Sequence, residues 1–369
     1  MESTCLDAAA IQAKRVEDEA KNWDIPTLDR LETPIDGKLP IIDLSLLKSQ
    51  PSSGTNIIAS QLSNIFRSTG FFLLSNHGCE EIIEETLKAA ERFHGSLTDA
   101  EKEEISFGER GVGYIKINQK ILPKREKGNM NETFIIKREL GPRNITLESN
   151  LFPDEAKLPG FKQKVLDYAD SMEKLALSLL PSFAVALDLP PSFFENAFTR
   201  PLFRLRLSHY PPANLESSQY GIAPHTDTSF FTLLAQVYLY PFILNYFLII
   251  FQTVCCNMQC LYIIQIFQDG TEGLSVQTLD GRWIKVPSRK DLIVVNTGEL
   301  LKQWSNDKVP STRHFVINNS GVSRYSLPFF FNCDADFVMK CLPSCTSKDN
   351  PPKYPDMSFL QSQGVLQGE

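Results

Sequence analysis

Five histidines occur in the 369 residues, His77, His94, His209, His225 and His314, so each can be weighed by its company. His225 and Asp227 form H-x-D within GIAPHTDTSFFTLL, at the entry of a predicted strand whose period of two turns both side chains the same way. An imidazole and a carboxylate side by side suit a first-row metal, although H-x-D alone is a common chance pairing. His314, in PSTRHFVIN on a later predicted strand, can supply a third ligand; taken singly it reads first as a satisfied core histidine. Two histidines and one carboxylate on one face of an octahedron leave three positions open, which lets a co-substrate and O2 meet on one Fe(II). Zinc stays an alternative, with one open position and hydrolytic chemistry.

Arg324 and Ser326, in SRYSLPFF, stand two apart on another predicted strand and face one way. Together they offer a guanidinium fork and a hydroxyl to a carboxylate. Tyr210, in LSHYPP, can add a phenol. The plainer readings are a surface salt bridge for Arg324 and a polar edge residue for Ser326. Phe230, Phe231, Phe329, Phe330 and Phe331 could line a dry pocket, although alternate ones must point to the opposite face, and plain core packing explains each as well.

These residues need strands to hold them. After Pro201 the chain breaks into FRLRLSHYP, FFTLLAQ, GLSVQT, RWIKVP, DLIVVN, RHFVIN and SRYSLPFFF, short runs separated by Gly, Asp, Asn and Pro. So many short strands in succession predict a β-domain of the jelly-roll kind. Upstream, LPIIDLS reads as a buried strand and TNIIASQLSNIFRSTG as a helix with Ile57, Ile58, Leu62, Ile65 and Phe66 on its apolar face. GFFLLSNHG is a second strand and EEIIEETLKAAERFHG a second helix, acidic at its start. Spacing from Leu158 to about Leu189 predicts a long helix that Pro181 should kink or end. The expected fold is α+β: a double-stranded β-helix (jelly-roll) core, an N-terminal α/β layer and a long supporting helix. The expected divisions are a helix and loop over 1–38, an N-terminal region over 39–150, helical support over 151–200, the β-domain over 201–336 and a tail over 337–369, loose from about Cys345.

A formal net charge of −7 and the lack of a concentrated basic face argue against nucleic acid as partner. The first residues, MESTCLDAAAIQAKRVEDEAKNW, lack the apolar core of a secretory signal, so a cytoplasmic location is expected. Eight cysteines show no paired CxxC spacing, and reduced thiols are the expectation. His77 and His94 read as structural. The sequence says nothing about oligomeric state.

The order LPIIDLS, GFFLLSNHG, RLRLSHYPP, HTD, GLSVQTLDGRWIKVP, VVNTGELLKQWSNDKVPSTRH and RYSLPFFF resembles the 2-oxoglutarate and Fe(II)-dependent dioxygenases, in the isopenicillin N synthase-like branch. NETFIIKRE, from Asn131 to Glu139, looks like a segment of the same branch. The resemblance implies iron ligands His225, Asp227 and His314, and contacts to 2-oxoglutarate from Arg324, Ser326 and Tyr210. It implies a small organic substrate, O2, and ascorbate as reductant. Succinate and CO2 are released, and hydroxylation is the usual outcome, with desaturation or ring closure as variants. Two departures stand out: Ser208 and His209 replace part of an Asn-Tyr-Tyr-Pro run, and Phe315 replaces the Arg that often follows the distal histidine. A same-fold oxidase that dispenses with 2-oxoglutarate, or a non-catalytic isoform, is the rival reading.

Against this pattern Gln236 should run straight into Asp269, and Val237 to Gln268 is excess. This run holds no Lys, Arg, Asp or Glu. A membrane span needs roughly 20 apolar residues, but Pro241, Asn245, Gln252, Asn257, Gln259 and Gln265 interrupt the run and no basic flanks adjoin it. A lid loop is usually polar and Gly-bearing. The favoured reading is a translated retained intron. A Phe, Ile, Tyr, Leu and Cys bias follows from T-rich codons, Val requires a codon beginning GT, and Gln can be encoded by CAG. If translated, such an apolar excursion is expected to aggregate unless covered.

Overall fold

The computed structural model describes residues 31–108, 111–119, 128–139, 149–212, 219–238 and 273–362. The N-terminal helix expected before Leu31, and the apolar run beyond Tyr238, lie outside the described residues. In chain order the elements begin β1 (Ile35–Asp36), β2 (Ile41–Asp43), α1 (Ser45–Ser49), α2 (Pro51–Phe66), β3 (Phe71–Ser75), α3 (Glu80–Ser96) and α4 (Asp99–Glu103). There follow β4 (Gly113–Ile115), β5 (Glu132–Lys137), α5 (Phe161–Ala186), β6 (Leu202–Tyr210), β7 (Ile222–His225) and β8 (Phe231–Tyr238). The remainder comprises β9 (Leu274–Gln277), β10 (Trp283–Lys285), β11 (Ile293–Thr297), α6 (Glu299–Trp304), β12 (His314–Val316), β13 (Arg324–Asn332), β14 (Val338–Met339), β15 (Met357–Ser358) and α7 (Phe359–Ser362).

Two sheets make the jelly roll. One runs β1-β10-β9-β12-β7, the other β2-β3-β11-β8-β13-β6-β5-β4. Alternation along the strands gives the larger sheet two faces. Tyr325, Leu327, Phe329 and Phe331 of β13 join Phe134, Leu205 and Leu233 in a core shared with α2, α3 and α5. The opposite face meets the smaller sheet through Phe71, Leu73, Val276, Val286, Val294 and Val316. Burying each such side chain stabilises by about 1.5–3 kcal/mol, so a one-residue slip of register would exchange both cores.

All seven strands expected after Pro201 are present. The long helix buries Phe161, Val165, Tyr168, Met172 and Leu175 but does not end at Pro181. It continues to Ala186, with Leu179, Leu180, Phe183 and Ala184 buried on both sides of the proline. Packing of these residues outweighs the hydrogen bond that the proline ring removes. Ile57, expected on the apolar face of α2, is 45% exposed. Between Pro34 and Gly37, read as loop, β1 pairs in parallel with β10.

The tail is not loose over 345–362. Asn306 Nδ2 donates to the carbonyls of Cys345 (3.1 Å) and Pro351 (3.2 Å), Tyr354 OH donates to Asp307 (2.7 Å), and β14 pairs with β15. Composition suggested mobility, but these long-range hydrogen bonds anchor the segment. Among the described residues no helix is long and apolar enough to cross a membrane.

Candidate metal centre

His225 closes β7, and His314 opens β12 directly opposite it in the antiparallel ladder. The two imidazole centroids stand 4.2 Å apart. Asp227 lies beyond the strand, in the turn before β8. The period of two therefore does not aim it, and the turn itself must be held. Backbone bonds from Gly298 N to Phe230 O (3.2 Å), Glu299 N to Asp227 O (2.8 Å) and Leu300 N to Ser229 O (3.2 Å) clamp it against the start of α6. Gly298 is required there for space: a Cβ would lie 2.1 Å from the Ser229 carbonyl oxygen and 3.0 Å from that of Asp227.

The side chains converge. Asp227 Oδ1 lies 3.7 Å from His225 Nε2 and 3.6 Å from His314 Nε2. Every outward atom is occupied. His225 Nδ1 bonds to the Ala223 carbonyl (2.9 Å) and His314 Nδ1 to the Thr312 carbonyl (3.1 Å), so each Nδ1 carries the proton. Asp227 Oδ2 accepts from Thr232 Oγ1 (2.7 Å) and Asn296 Nδ2 (2.8 Å). Two imidazole lone pairs and a carboxylate oxygen thus face one another, a donor set that fits a divalent cation. Burial, and then the neighbouring His314, push the His225 pKa down to about 3. Burial works against ionisation of Asp227, yet the two imidazoles and the bonds from Asn296 and Thr232 outweigh it and hold that carboxyl below its usual range.

Arg324, Ser326 and Tyr210 come together on the face of the larger sheet that meets the smaller one. Arg324 pairs with Tyr210 across β13 and β6, and Ser326 pairs with Ser208. Arg324 and Ser326 are each 1% exposed, on a strand flanked by β8 and β6. Neither a surface salt bridge nor an edge position describes them. The guanidinium carbon lies 4.6 Å from the Tyr210 ring centroid, Nη2 donates to Gln236 Oε1 (2.6 Å), and Ser326 Oγ donates to Tyr210 OH (3.5 Å). Gln236 is itself oriented by donating Nε2 to the Pro287 carbonyl (3.2 Å). Sequence reasoning missed Thr232, Gln236, Asn296 and Gly298; their strand or loop setting was legible, their partners were not.

Of the five phenylalanines, Phe230, Phe231, Phe329 and Phe331 belong to the helix-backed core. Phe330 alternates to the Arg324 face of β13. Phe315, in place of an arginine, is buried edge-on against Trp283 (4.7 Å) and near Tyr220 (5.6 Å).

A second cluster accounts for His94 and His209. Glu132 Oε1 lies 2.8 Å from His209 Nδ1 and 3.4 Å from His94 Nδ1. Its Oε2 accepts from Tyr114 OH (2.6 Å) and from the Lys102 ammonium (3.2 Å), which also donates to the His94 carbonyl (2.7 Å). Although these atoms have metal-like spacing, Lys102 already compensates the carboxylate, and a divalent ion would add uncompensated buried charge. Ser208 Oγ meets Thr133 Oγ1 at 3.1 Å, and the His209 ring stacks on Tyr325 at 4.7 Å. The cluster is a structural tie among α3, α4, β4, β5 and β6. His77 shapes the turn before α3, its Nδ1 accepting from Cys79 N (3.1 Å).

Comparison with known proteins agrees with this architecture. Residues 39–155 match the model of the non-haem dioxygenase N-terminal region, named for morphine synthesis, and residues 255–332 match that of the 2OG-Fe(II) oxygenase superfamily. The chain is 28% identical over 334 residues to the 2-oxoglutarate-Fe(II) type oxidoreductase hxnY of Emericella nidulans, covering 86% of each protein. It is 28% identical over 324 residues to the 2-oxoglutarate-dependent dioxygenase citB of Monascus ruber, covering 82% of this chain and 87% of that one. The fold matches a full-length Neurospora crassa protein solved in complex with alpha-KG at a TM-score of 0.72, with 22% identity over 89% of this chain and 95% of that one. The chain belongs to the 2-oxoglutarate and Fe(II)-dependent oxygenase superfamily, and it is a dioxygenase that needs both Fe(II) and 2-oxoglutarate.

Proposed function

We propose that His225, Asp227 and His314 hold the Fe(II), that Arg324, Ser326 and Tyr210 bind the far carboxylate of 2-oxoglutarate, and that the chain hydroxylates a small organic metabolite. One observation carries this assignment. On β8, Thr232 bonds to Asp227 and Gln236 bonds to Arg324. Four residues of strand, about 13 Å, separate the two anchors on one face. That span suits a short dicarboxylate reaching from a metal at one end to a guanidinium at the other.

When bound, the iron supplies the activation of O2 that couples loss of CO2 from 2-oxoglutarate to oxidation of a C–H bond. The chain's own residues do the rest. Arg324 pairs with the far carboxylate while Ser326 and Tyr210 add hydroxyls. Thr232 and Asn296 keep Asp227 ionised and aimed, and the Ala223 and Thr312 carbonyls fix the imidazole tautomers. The buried sheet interior excludes water from the oxidising centre.

The order of motifs supports placement in the isopenicillin N synthase-like branch. Free, buried or half-buried thiols at Cys79, Cys333, Cys341 and Cys345 suit the reducing cytoplasm. Ascorbate is the proposed auxiliary reductant. Residues 237–268 are the proposed retained intron: the superfamily match, over 255–332, leaves the H-x-D motif outside it while taking in the last part of the run. The first two residues of that run, Val237 and Tyr238, continue β8 opposite Tyr325 and Arg324, which any residues could do through their backbone.

The test is to express the chain with and without 237–268 and to measure succinate formed from 2-oxoglutarate with Fe(II) and ascorbate. Turnover that disappears in His225→Ala supports the proposal; equal turnover in that variant contradicts it. Sequencing of transcripts across the Gln236 to Asp269 junction decides the intron reading, which falls if no spliced form exists.

A further inference from the structure

The connection between β12, which carries His314, and β13, which carries Arg324 and Ser326, crosses from the smaller sheet to the larger over residues 317–323. At this end the β6–β13 ladder stops at the pair Tyr210–Arg324. It cannot continue, because Pro211 and Pro212 follow Tyr210 and neither has an N–H to donate. The last ladder pair is thus also the pair that meets the far carboxylate in the dioxygenase reading. Strand ends of this kind splay apart unless another group holds them.

Asn318 holds these. Its side chain is buried, and Nδ2 donates to the carbonyls of Tyr210 (2.9 Å), Pro211 (3.1 Å) and Val322 (2.9 Å). Carbonyls only accept, so the three of them fix which end of the amide is the nitrogen. Oδ1 accepts from Ser320 Oγ (2.6 Å) and Ser320 N (3.4 Å), which leaves the amide one orientation. One side chain therefore spans from the end of β6 to a point two residues before Arg324. One residue before Arg324, Ser323 Oγ meets His209 Nε2 at 3.0 Å, beside Tyr210. The Tyr210 ring is confined as well: a Cβ at Gly221 would lie 2.9 Å from Tyr210 Cδ1 and 3.1 Å from the Val316 carbonyl oxygen.

We propose that Asn318 is a positioning residue for the co-substrate: its amide locks Tyr210 against Arg324, and this latch makes the site read the length of the dicarboxylate. This rests on the dioxygenase reading above and deepens it. Asn318 acts through backbone carbonyls, not by touching the ligand. Charge-assisted hydrogen bonds to a carboxylate hold only over a narrow range of distance. With the latch intact, the seat of the far carboxylate stays at one distance from the metal end of the face. With the latch broken, β6 and β13 separate past their last pair, and a dicarboxylate one methylene longer is accommodated as well as 2-oxoglutarate.

The test is anaerobic calorimetry on the full chain loaded with Fe(II), titrated with 2-oxoglutarate and with 2-oxoadipate, which is one methylene longer. The parent chain should prefer 2-oxoglutarate at least tenfold. Asn318→Ala should weaken 2-oxoglutarate about tenfold, change 2-oxoadipate less than twofold, and leave Co(II) affinity within twofold. Ser320→Ala removes only the hydroxyl that orients the amide and should narrow the preference about threefold; it carries the test alone if Asn318→Ala yields no folded protein. Equal losses for both diacids would mean that Asn318 only supports the fold, and would overturn the proposal. So would an unchanged 2-oxoglutarate affinity in the variants, a tenfold fall in their Co(II) affinity, or a parent chain that binds the two diacids alike. A parent chain loaded with Fe(II) that binds neither diacid would overturn the dioxygenase reading itself, a result distinct from binding without a preference for length.

Discussion

Thr232 and Gln236 lie four residues apart on one face of β8, and each holds one half of the site: Thr232 Oγ1 donates to Asp227 at 2.7 Å, and Gln236 Oε1 accepts from Arg324 at 2.6 Å. A single regular strand thus sets the distance between the Asp227 carboxylate and the Arg324 guanidinium. The two halves should fail independently. Thr232→Val should weaken Co(II) or Fe(II) binding by about 10- to 100-fold and leave the 2-oxoglutarate affinity of the metal-saturated chain within twofold. Gln236→Leu should raise the 2-oxoglutarate Kd about tenfold with metal affinity intact. Titration calorimetry of both variants would expose any crossover of these effects, which a rigid strand ruler does not allow.

Gly298 offers a purely steric prediction. Its φ of −116° is open to any residue, but the Ser229 carbonyl occupies the space a Cβ would need. Gly298→Ala should push the Asp227 turn off α6, costing about 1–3 kcal/mol of stability and at least tenfold in metal affinity. Urea melts with and without Co(II) measure both; an alanine variant that keeps full metal affinity would show that the clamp does not position Asp227.

The Glu132 cluster predicts a pH signature. Burial opposes ionisation, but hydrogen bonds from His209 and His94, and from Tyr114, hold the Glu132 carboxyl far below its ordinary value near 4.5. A depressed folded-state pKa contributes stability that is complete above pH 4.5 and is lost as pH falls below it. Glu132→Gln leaves the Lys102 ammonium buried without its counter-charge and should cost about 3–5 kcal/mol at pH 7. The gap between parent and variant should narrow from pH 5 to pH 3. A gap constant across that range would mean the carboxylate charge is not what the cluster uses.

The strands of the second half were legible because short alternating runs lay between clear breakers, and His225 and His314 could be picked out as candidates because histidine is scarce. What escaped was long-range. Asn296 reaches Asp227 across 69 residues, and Arg324 reaches Gln236 across 88, so no local pattern reports either bond. Asp227 was chosen as a candidate from strand alternation, whereas a clamped turn aims it. Pro181 was read by its local cost, which burial of Phe183 and its neighbours outweighs. His209 looked like an irregularity in a motif; its meaning depended on Glu132, His94 and Lys102 arriving from other elements.

The central claim is that one face holds a metal and a dicarboxylate together. It is tested most directly by anaerobic calorimetric titration of 2-oxoglutarate into the full chain, with and without Fe(II), alongside His225→Ala and Arg324→Leu. The expected result is tight binding only with the metal present, abolished in His225→Ala and weakened about 100-fold or more in Arg324→Leu, as when one partner of a buried charge pair is removed. Binding that is the same without Fe(II), or that survives unchanged in Arg324→Leu, would contradict it.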